Sequence, residues 1–165
     1  MNHALTDDAR ADATRGDALM PANTTLYDTD FHAWANEQAA LLRAGRLTEA
    51  DIENIAEEIE SMGRSEKREL VNRLAALMLH LLKWRYQPGL RGKSWQYSID
   101  EQRHRIDDHL KDNPSLKARL DEAINGAYRL AKLGAARETG FDLDTFPSTC
   151  PFPFEQAMDP GFWPD

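Results

Sequence analysis

The chain has 165 residues, of which 28 are acidic and 20 basic, so its formal net charge is −8. This length predicts one domain, and 41% hydrophobic with 29% charged residues is typical of a water-soluble globular protein. No apolar run approaches the roughly 18–20 residues that span a bilayer. The N-terminus shows no basic start followed by an apolar core, so we expect a cytoplasmic protein without a membrane segment.

A single cysteine, Cys150, excludes a disulfide within the chain and a zinc site built from several thiolates. This cysteine usage is typical of a reducing compartment. No basic residue lies near Cys150 in the last 25 positions, so nothing local favours the thiolate. We therefore interpret Cys150 as a small buried apolar group and not as a nucleophile.

The N-terminal segment differs in composition from the rest of the chain. Residues 1–25 contain few large apolar side chains and no aromatic ring, which predicts a disordered tail before a single domain over 26–165. From Asp28 onwards, apolar residues recur at steps of three and four, which predicts a first helix that ends near Gly45. Thr48 is then a natural N-cap for a second, acidic helix that ends at Gly63.

Three further helices follow from the same pattern. Ser65 predicts the start of a third helix, which is apolar over more than half its circumference and ends before Pro88. Ser94 predicts the start of a fourth helix. Asn113-Pro114 predicts the start of a fifth, which has small residues on its inner face and ends at Gly140.

The last 25 residues are rich in proline and aromatic residues, so they form neither a long helix nor a strand ladder. We expect an irregular strap laid over the helices, with one helical turn at Phe154–Met158. The sequence therefore predicts an all-α fold, a single bundle of about five helices with an irregular C-terminal strap rich in proline and aromatic residues.

The motifs of these segments, taken in order, resemble one known family. They are Tyr27-Asp28-x-Asp30-Phe31-x-x-Trp34, Glu57-Glu58-Ile59-Glu60-x-Met62-Gly63, His80-Leu81-Leu82-Lys83-Trp84, Gln87-Pro88, Ser94-Trp95, Gln102-Arg103, Ala127-Tyr128, Glu138-Thr139-Gly140 and Phe146-Pro147-x-x-Cys150-Pro151. Together they resemble the bacterial "domain of unknown function" family twenty-nine, DUF29, over about residues 26–165. The resemblance implies a small all-helical cytoplasmic protein whose family has no established activity, catalytic residue or cofactor.

Two catalytic patterns are present only in part. A di-iron helical bundle needs two Glu-x-x-His pairs, and the chain has one, Glu101 with His104, of which we expect His104 to point outward. A site for one metal ion, formed by His80 and a glutamate, is the other possibility. We favour a satisfied core histidine and a solvated acidic face, so we predict no metal and no cofactor. Arg105 and His109 miss the Arg-x-x-x-x-His pattern of helical ribonucleases by one residue, which is about 100° around a helix.

The strongest candidate for a binding site is a cluster of basic, aromatic and amide residues around the turn after the third helix. One interpretation is a surface for phosphate or nucleic acid. The other, which we favour, is an intramolecular network in which Arg85 or Arg91 pairs with glutamates of the second helix. The candidate residues are Glu57, Glu58, His80, Arg85, Gln87, Arg91, Trp95, Gln102 and Arg103.

The charge is distributed unevenly along the chain. Residues 26–63 carry −7 (nine acids, two bases), whereas residues 64–93 carry +6 (eight bases, two acids). We expect the acidic second helix and the basic third helix, which are adjacent in sequence, to lie antiparallel and to neutralise each other. The sequence favours a non-catalytic interaction or regulatory module that binds an unknown protein partner or itself. The alternative is a nucleic-acid-binding protein or nuclease that uses residues 83–95, and whether the chain is an enzyme stays open.

Overall fold

The computed structural model describes residues 25–165, and the tail predicted over residues 1–25 lies outside this range except for its last residue. Every regular element in the described part of the chain is helical, which confirms the all-α fold. The α-helices are α1 (Leu26–Thr29), α2 (Phe31–Arg43), α3 (Ile52–Tyr86), α4 (Lys93–Asp112), α5 (Leu120–Thr139) and α6 (Phe154–Met158). Short 3-10 helices cover Pro88–Leu90, Pro114–Arg119 and Leu143–Thr145. None of the described helices is long and apolar enough to cross a lipid bilayer.

The chain divides into two compact units, Met1–Ile55 and Ala56–Asp165. In the first unit, Asp30 caps α2 by accepting a hydrogen bond from the backbone N–H of Ala33 at 2.9 Å. The buried indole of Trp34 donates to Asp51 at 3.3 Å, and the backbone N–H of Asp51 donates to Gln38 at 2.8 Å. These two bonds hold the segment that begins α3.

Helix α3 is one continuous helix of 35 residues. The predicted stop at Gly63 and the predicted caps at Thr48 and Ser65 are therefore wrong. Asp51 is the cap, since its carboxylate accepts from the backbone N–H of Asn54 at 3.3 Å. A glycine inside a helix costs only about 1 kcal/mol relative to alanine, a cost that a long helix tolerates. The acidic and basic segments are thus successive parts of one helix and not an antiparallel pair.

The second unit is built on the remainder of α3 together with α4 and α5. Lys67 pairs with Glu122, and Lys83 pairs with Glu138, so α5 runs parallel to α3. Helix α4 runs antiparallel to α3, because His109 near its end bonds the carbonyl oxygen of Glu66 at 2.9 Å. The fully buried side chains between these helices include Leu70, Leu74, Leu77, Met78, Leu81, Leu82, Ile99 and Ile106.

The small residues of α5 allow a close approach to α3, as predicted. Ala127, Ala131 and Ala135 are buried, and a Cβ atom added at Gly134 would overlap the side chain of Leu79. Helix α5 ends where predicted, at Gly140, which has a φ of 75°. Its start differs from the prediction, because the residues after Asn113 form a 3-10 helix first.

The C-terminal strap, residues 141–165, covers the helices of the second unit. Phe146 and Phe152 are buried in the core cluster, and α6 forms the single helical turn predicted there. The rings of Trp84 and Trp163 lie 4.7 Å apart, and those of Tyr86 and Phe146 lie 5.0 Å apart. Burial of the Phe146 and Phe152 rings removes their apolar surface from water and stabilises an otherwise irregular segment.

Candidate functional site

Arg103 on α4 is the most deeply buried charged residue of the predicted cluster, with 4% of its surface exposed. Its Nε donates to the carbonyl oxygen of Ala157 at 2.9 Å, and its Nη2 donates to that of Phe162 at 2.8 Å. Its guanidinium also lies 5.4 Å from the ring centre of Trp163. Burial lowers the pKa of Arg103, while the negative charges of Asp100 and Asp159 oppose that shift. Arg103 therefore binds the strap.

Arg91 holds the end of the same strap. Its Nε donates to the carbonyl oxygen of Trp84 at 2.7 Å, and its Nη2 donates to that of Pro164 at 3.3 Å. The guanidinium lies 5.4 Å from the ring centre of Trp84. Two arginines from different elements thus anchor the strap through backbone carbonyl oxygens, which are strong acceptors for a charged donor.

The predicted pairing of Arg85 or Arg91 with glutamates of an acidic helix is wrong. Glu57 and Arg85 lie on one helix, 28 residues apart, which corresponds to about 42 Å. Glu57 instead pairs with Arg64 at 2.6 Å. Arg91 does make intramolecular contacts, but its acceptors are backbone carbonyl oxygens, of Trp84 on α3 and of Pro164 in the strap.

The other basic and aromatic residues around the turn form local contacts. Lys83 Nζ lies 2.7 Å from Glu138 and 4.7 Å from the ring centre of Trp95. Arg85 is exposed and lies 5.9 Å from the ring centre of Tyr86. Gln87 precedes the Pro88–Leu90 3-10 helix and donates its backbone N–H to the carbonyl oxygen of Lys83 at 2.9 Å.

Two candidate residues of the predicted cluster, Glu58 and His80, are not brought together by the structure. Glu58 and His80 are 22 residues apart on α3, or about 33 Å. His80 Nδ1 bonds the carbonyl oxygen of Ala76 at 2.8 Å, as expected for a satisfied core histidine. The buried Oε1 of Gln102 has no hydrogen-bond partner in the described part of the chain.

His104 and Arg105, which belong to the two partial catalytic patterns, contact neighbouring residues of α4. His104 is exposed, as expected, and bonds the carbonyl oxygen of Asp100 at 2.7 Å. Arg105 pairs with Glu101 at 2.5 Å. Within residues 25–165, no three His, Cys, Asp or Glu side chains are grouped so that they could hold a metal ion.

Cys150 is half-buried and packs against the core of the second unit. Its Sγ is 3.9 Å from the sulfur of Met78 and 3.4 Å from the carbonyl oxygen of Phe152. Burial raises the pKa of the Cys150 thiol, which disfavours the nucleophilic thiolate. This geometry agrees with the interpretation of Cys150 as a small packed group.

A groove between α3 and α5 was not predicted from the sequence. It has a volume of about 470 Å³, and we call it the basic groove. Its apolar residues are Val71 and Leu130, and 47% of the Leu130 surface is exposed. The guanidinium of Arg68 forms no hydrogen bond or ion pair with any residue of 25–165. The residues that line the basic groove are Arg64, Lys67, Arg68, Val71, Asn72 and Leu130.

Helix α5 extends the apolar and basic character of this groove. Leu133 lies three residues after Leu130 and is 58% exposed. Arg129 and Arg137 lie four residues before and after Leu133, so they share its face of the helix. Neither arginine has an ion-pair partner among the described residues. The sequence did contain a signal for this exposed surface, because Leu130 and Leu133 fall outside the inner face of α5, which is formed by small residues.

The sequence pattern of one protein family, described as a domain of unknown function, DUF29, matches residues 26–163. The chain belongs to the DUF29 family. This match confirms the resemblance found in the sequence motifs. It covers residues 26–163 of the range 25–165 that the structure describes. Comparison with curated proteins and with solved structures gave no match.

Several DUF29 motif residues of this chain contact the strap. Trp84 packs on Trp163, Arg103 donates to two strap carbonyls, and the hydroxyl of Tyr128 donates to the carbonyl oxygen of Pro147 at 2.7 Å. These three motif residues therefore help to hold the strap against the helices.

Proposed function

We propose that the protein is a non-catalytic interaction module that binds protein through the basic groove. The observation that carries this proposal is the pair of leucines on α5, about half exposed, beside unpaired cations. Leu130 and Leu133 present apolar surface next to Arg68, Arg129 and Arg137. An exposed apolar patch with a polar rim is typical of an interaction site, and arginine is enriched in such interfaces.

The contacts of the basic residues around the turn after α3 also support this proposal. Arg91 and Arg103 are used to hold the strap, and Lys83 is paired with Glu138. Three of the basic side chains that a catalytic or phosphate-binding site there would use are therefore engaged within the chain. The basic groove is apolar with a basic rim, which suits an amphipathic acidic partner.

A capture experiment tests the proposal. Tagged wild-type protein in an extract of its host should retain one protein in stoichiometric amount, either a further copy or another chain. The double variant Leu130→Glu/Leu133→Glu should lose it at least tenfold, because two carboxylates then replace the apolar contact. Tyr97→Glu is the matched control, since Tyr97 is an exposed helical residue (67%) outside the groove. Equal capture by the groove variant, or no captured protein at all, would reject the proposal.

Nucleic-acid binding through residues 83–95 is the second candidate. Arg85 and Lys93 support it, because both are exposed and neither has a carboxylate partner in the described part of the chain. A filter-binding assay with RNA at low salt tests it, and affinity should fall as salt rises. Wild-type protein that does not bind RNA at low salt, or an unchanged affinity in Arg85→Ala/Lys93→Ala, excludes this candidate.

A further inference from the structure

Helix α3 has a stretch in which no side chain is buried. Residues 56–66 are all exposed or half-buried, although they belong to a helix of 35 residues. Ile59 is 63% exposed and Met62 is 68% exposed. Large apolar side chains that are exposed together on one helix indicate a surface that binds a partner.

These two residues belong to a narrow apolar stripe on α3. Ile55 lies four residues before Ile59, and Met62 lies three residues after it, so the three side chains share one face of the helix. A narrow stripe at steps of three and four is typical of a helix that pairs with one other helix. The stripe ends at Glu66, whose carboxylate accepts a hydrogen bond from the side chain of Asn113 at 3.3 Å.

Two small residues lie beside these apolar side chains. Ala56 and Gly63 are both exposed and are separated by about two helical turns. No atom lies within 4 Å of the position that a Cβ would take at Gly63. Small residues allow the backbone of a second helix to come close, because the side chains at a contact set the distance between helix axes. We call Ile55, Ala56, Ile59, Met62 and Gly63 the α3 stripe.

We propose that two copies of the chain pair through the α3 stripe, with their α3 helices antiparallel about a two-fold axis at Ile59. Ile59 of one copy then meets Ile59 of the other. Ile55 lies within one residue of the level of Met62 in the second copy, and Ala56 lies within one residue of the level of Gly63. Apolar side chains therefore pack on one flank of the contact, and the small residues meet on the other flank.

The occupant is a second copy because the α3 stripe is complementary to itself. The two-fold rotation brings apolar residues against apolar residues and small residues against small residues. A contact of this kind uses the same patch on both subunits, and two-fold dimers are the commonest oligomers of soluble proteins. The contact covers only about 12 Å of helix, which is less than a standard interface, so we expect a dimer of micromolar affinity.

Sedimentation velocity of the full chain measures the assembly as a function of concentration. The mass should rise from 18.7 kDa towards twice this value and not beyond it. Ile59→Glu should stay a monomer, because two carboxylates would then face each other on the two-fold axis. Tyr97→Glu is the matched control and should dimerise like the wild type, since Tyr97 is 67% exposed and lies outside the α3 stripe.

The decisive measurement mixes two variants of the residue on the axis. Ile59→Glu and Ile59→Lys should each be monomeric, with unchanged circular dichroism as the check on folding. Their equimolar mixture should form a dimer with one chain of each kind, because like charges are then replaced by opposite charges at the axis. High salt should weaken this mixed dimer.

Cross-linking tests the orientation of the two helices. In a Cys150→Ser background, a mixture of Ala56→Cys and Gly63→Cys should form the mixed disulfide faster than either variant forms a disulfide with itself, since a disulfide needs close Cβ atoms. Faster cross-linking of Ala56→Cys with itself would indicate parallel helices and contradict the antiparallel contact.

Three further results would overturn the inference: a wild type that is monomeric at every concentration, equal dimerisation of Ile59→Glu and Tyr97→Glu, or no dimer in the mixture of Ile59→Glu with Ile59→Lys. A monomeric wild type that retains another protein through Ile59 would assign the α3 stripe to a different partner and would overturn it too.

The proposed function is tested separately, because no residue of the α3 stripe lines the basic groove. Leu130→Glu/Leu133→Glu should dimerise like the wild type, and a monomeric groove variant would contradict a contact through the α3 stripe. A copy retained through the α3 stripe depends on Ile59, whereas a protein retained through the basic groove depends on Leu130 and Leu133.

Discussion

Arg103 donates from Nε to the carbonyl oxygen of Ala157 at 2.9 Å, across 54 positions of the chain. The same side chain donates to Phe162, so one buried arginine holds two points of the strap. Such a bond fixes an irregular segment that has few backbone hydrogen bonds of its own. Two of the three nitrogens of this guanidinium, Nε and Nη2, are thereby used within the chain.

The anchoring role of Arg103 is tested by Arg103→Ala. We expect a loss of about 2–4 kcal/mol in the free energy of unfolding, because two carbonyl oxygens lose a charged donor in a buried place. Urea denaturation followed by tryptophan fluorescence measures it, since Trp163 lies in the strap. Arg105→Ala is the control, because Arg105 is exposed on the same helix. Equal losses for the two variants would contradict an anchoring role for Arg103.

Gly134 permits the close approach of α5 to α3. Gly134→Ala should destabilise the protein by roughly 1–2 kcal/mol, although alanine is the better helix former, because the new methyl group overlaps Leu79. Gly126→Ala is the matched control, since a Cβ there meets Val71 at an ordinary 3.8 Å. It should be neutral or stabilise by up to about 1 kcal/mol. Adding Leu79→Ala to Gly134→Ala should show positive coupling in a double-mutant cycle.

The continuity of α3 is tested at Gly63. No atom lies within 4 Å of the position a Cβ would take there, so Gly63→Ala should raise the free energy of unfolding by about 0.5–1 kcal/mol. Gly140→Ala should lower it by a similar amount, since Gly140 has a positive φ of 75°. If both variants lost stability equally, Gly63 would be a helix end, as the sequence first indicated.

Tyr128 predicts a dependence of stability on alkaline pH. Burial, followed by the charges of Cys150 and Tyr86, raises the pKa of Tyr128 from 10.0 to about 12. Between these values the unfolded chain loses the phenol proton while the folded chain keeps it. Stability should therefore be fully present below about pH 10 and fall as pH rises towards about 12, by up to ~2–3 kcal/mol.

Urea denaturation at several pH values between 9 and 12 measures this effect. Tyr128→Phe should remove that part of the pH dependence and lose about 1 kcal/mol at neutral pH, because the carbonyl oxygen of Pro147 loses its donor. Tyr97→Phe is the control, since Tyr97 is exposed. A slope unchanged in Tyr128→Phe would assign the pH dependence to other groups.

The predictions from the sequence were correct where a local pattern is compatible with only one structure. The positive φ of Gly140 ends α5, proline and aromatic residues give the strap, and Phe154–Met158 forms its single turn. Gly63 misled the prediction because glycine serves both as a helix stop and as a tolerated interior residue. No local sequence pattern distinguishes a glycine that ends a helix from a glycine inside one. The outcome depends on whether the following helical turns pack against the rest of the protein.

The candidate site residues show the same limit, which is that a local pattern does not reveal the contacts a side chain makes with distant parts of the chain. The sequence predicted an intramolecular role for Arg85 or Arg91 but assigned carboxylate partners, because a carboxylate is visible in a sequence and a backbone carbonyl is not. The basic groove escaped notice because it combines residues of α3 with residues of α5, about 60 positions apart. Such a surface exists only once the register between the two helices is fixed.

The sequence by itself determined the helical class, the strap and membership of the DUF29 family. Periodicity, helix breakers and motif order are local properties of a chain, so they can be recognised without a structure. The tertiary structure decided that α3 is continuous, that two arginines bind strap carbonyls, and which cations stay unpaired. Those facts depend on side chains that are distant in sequence and meet only through packing.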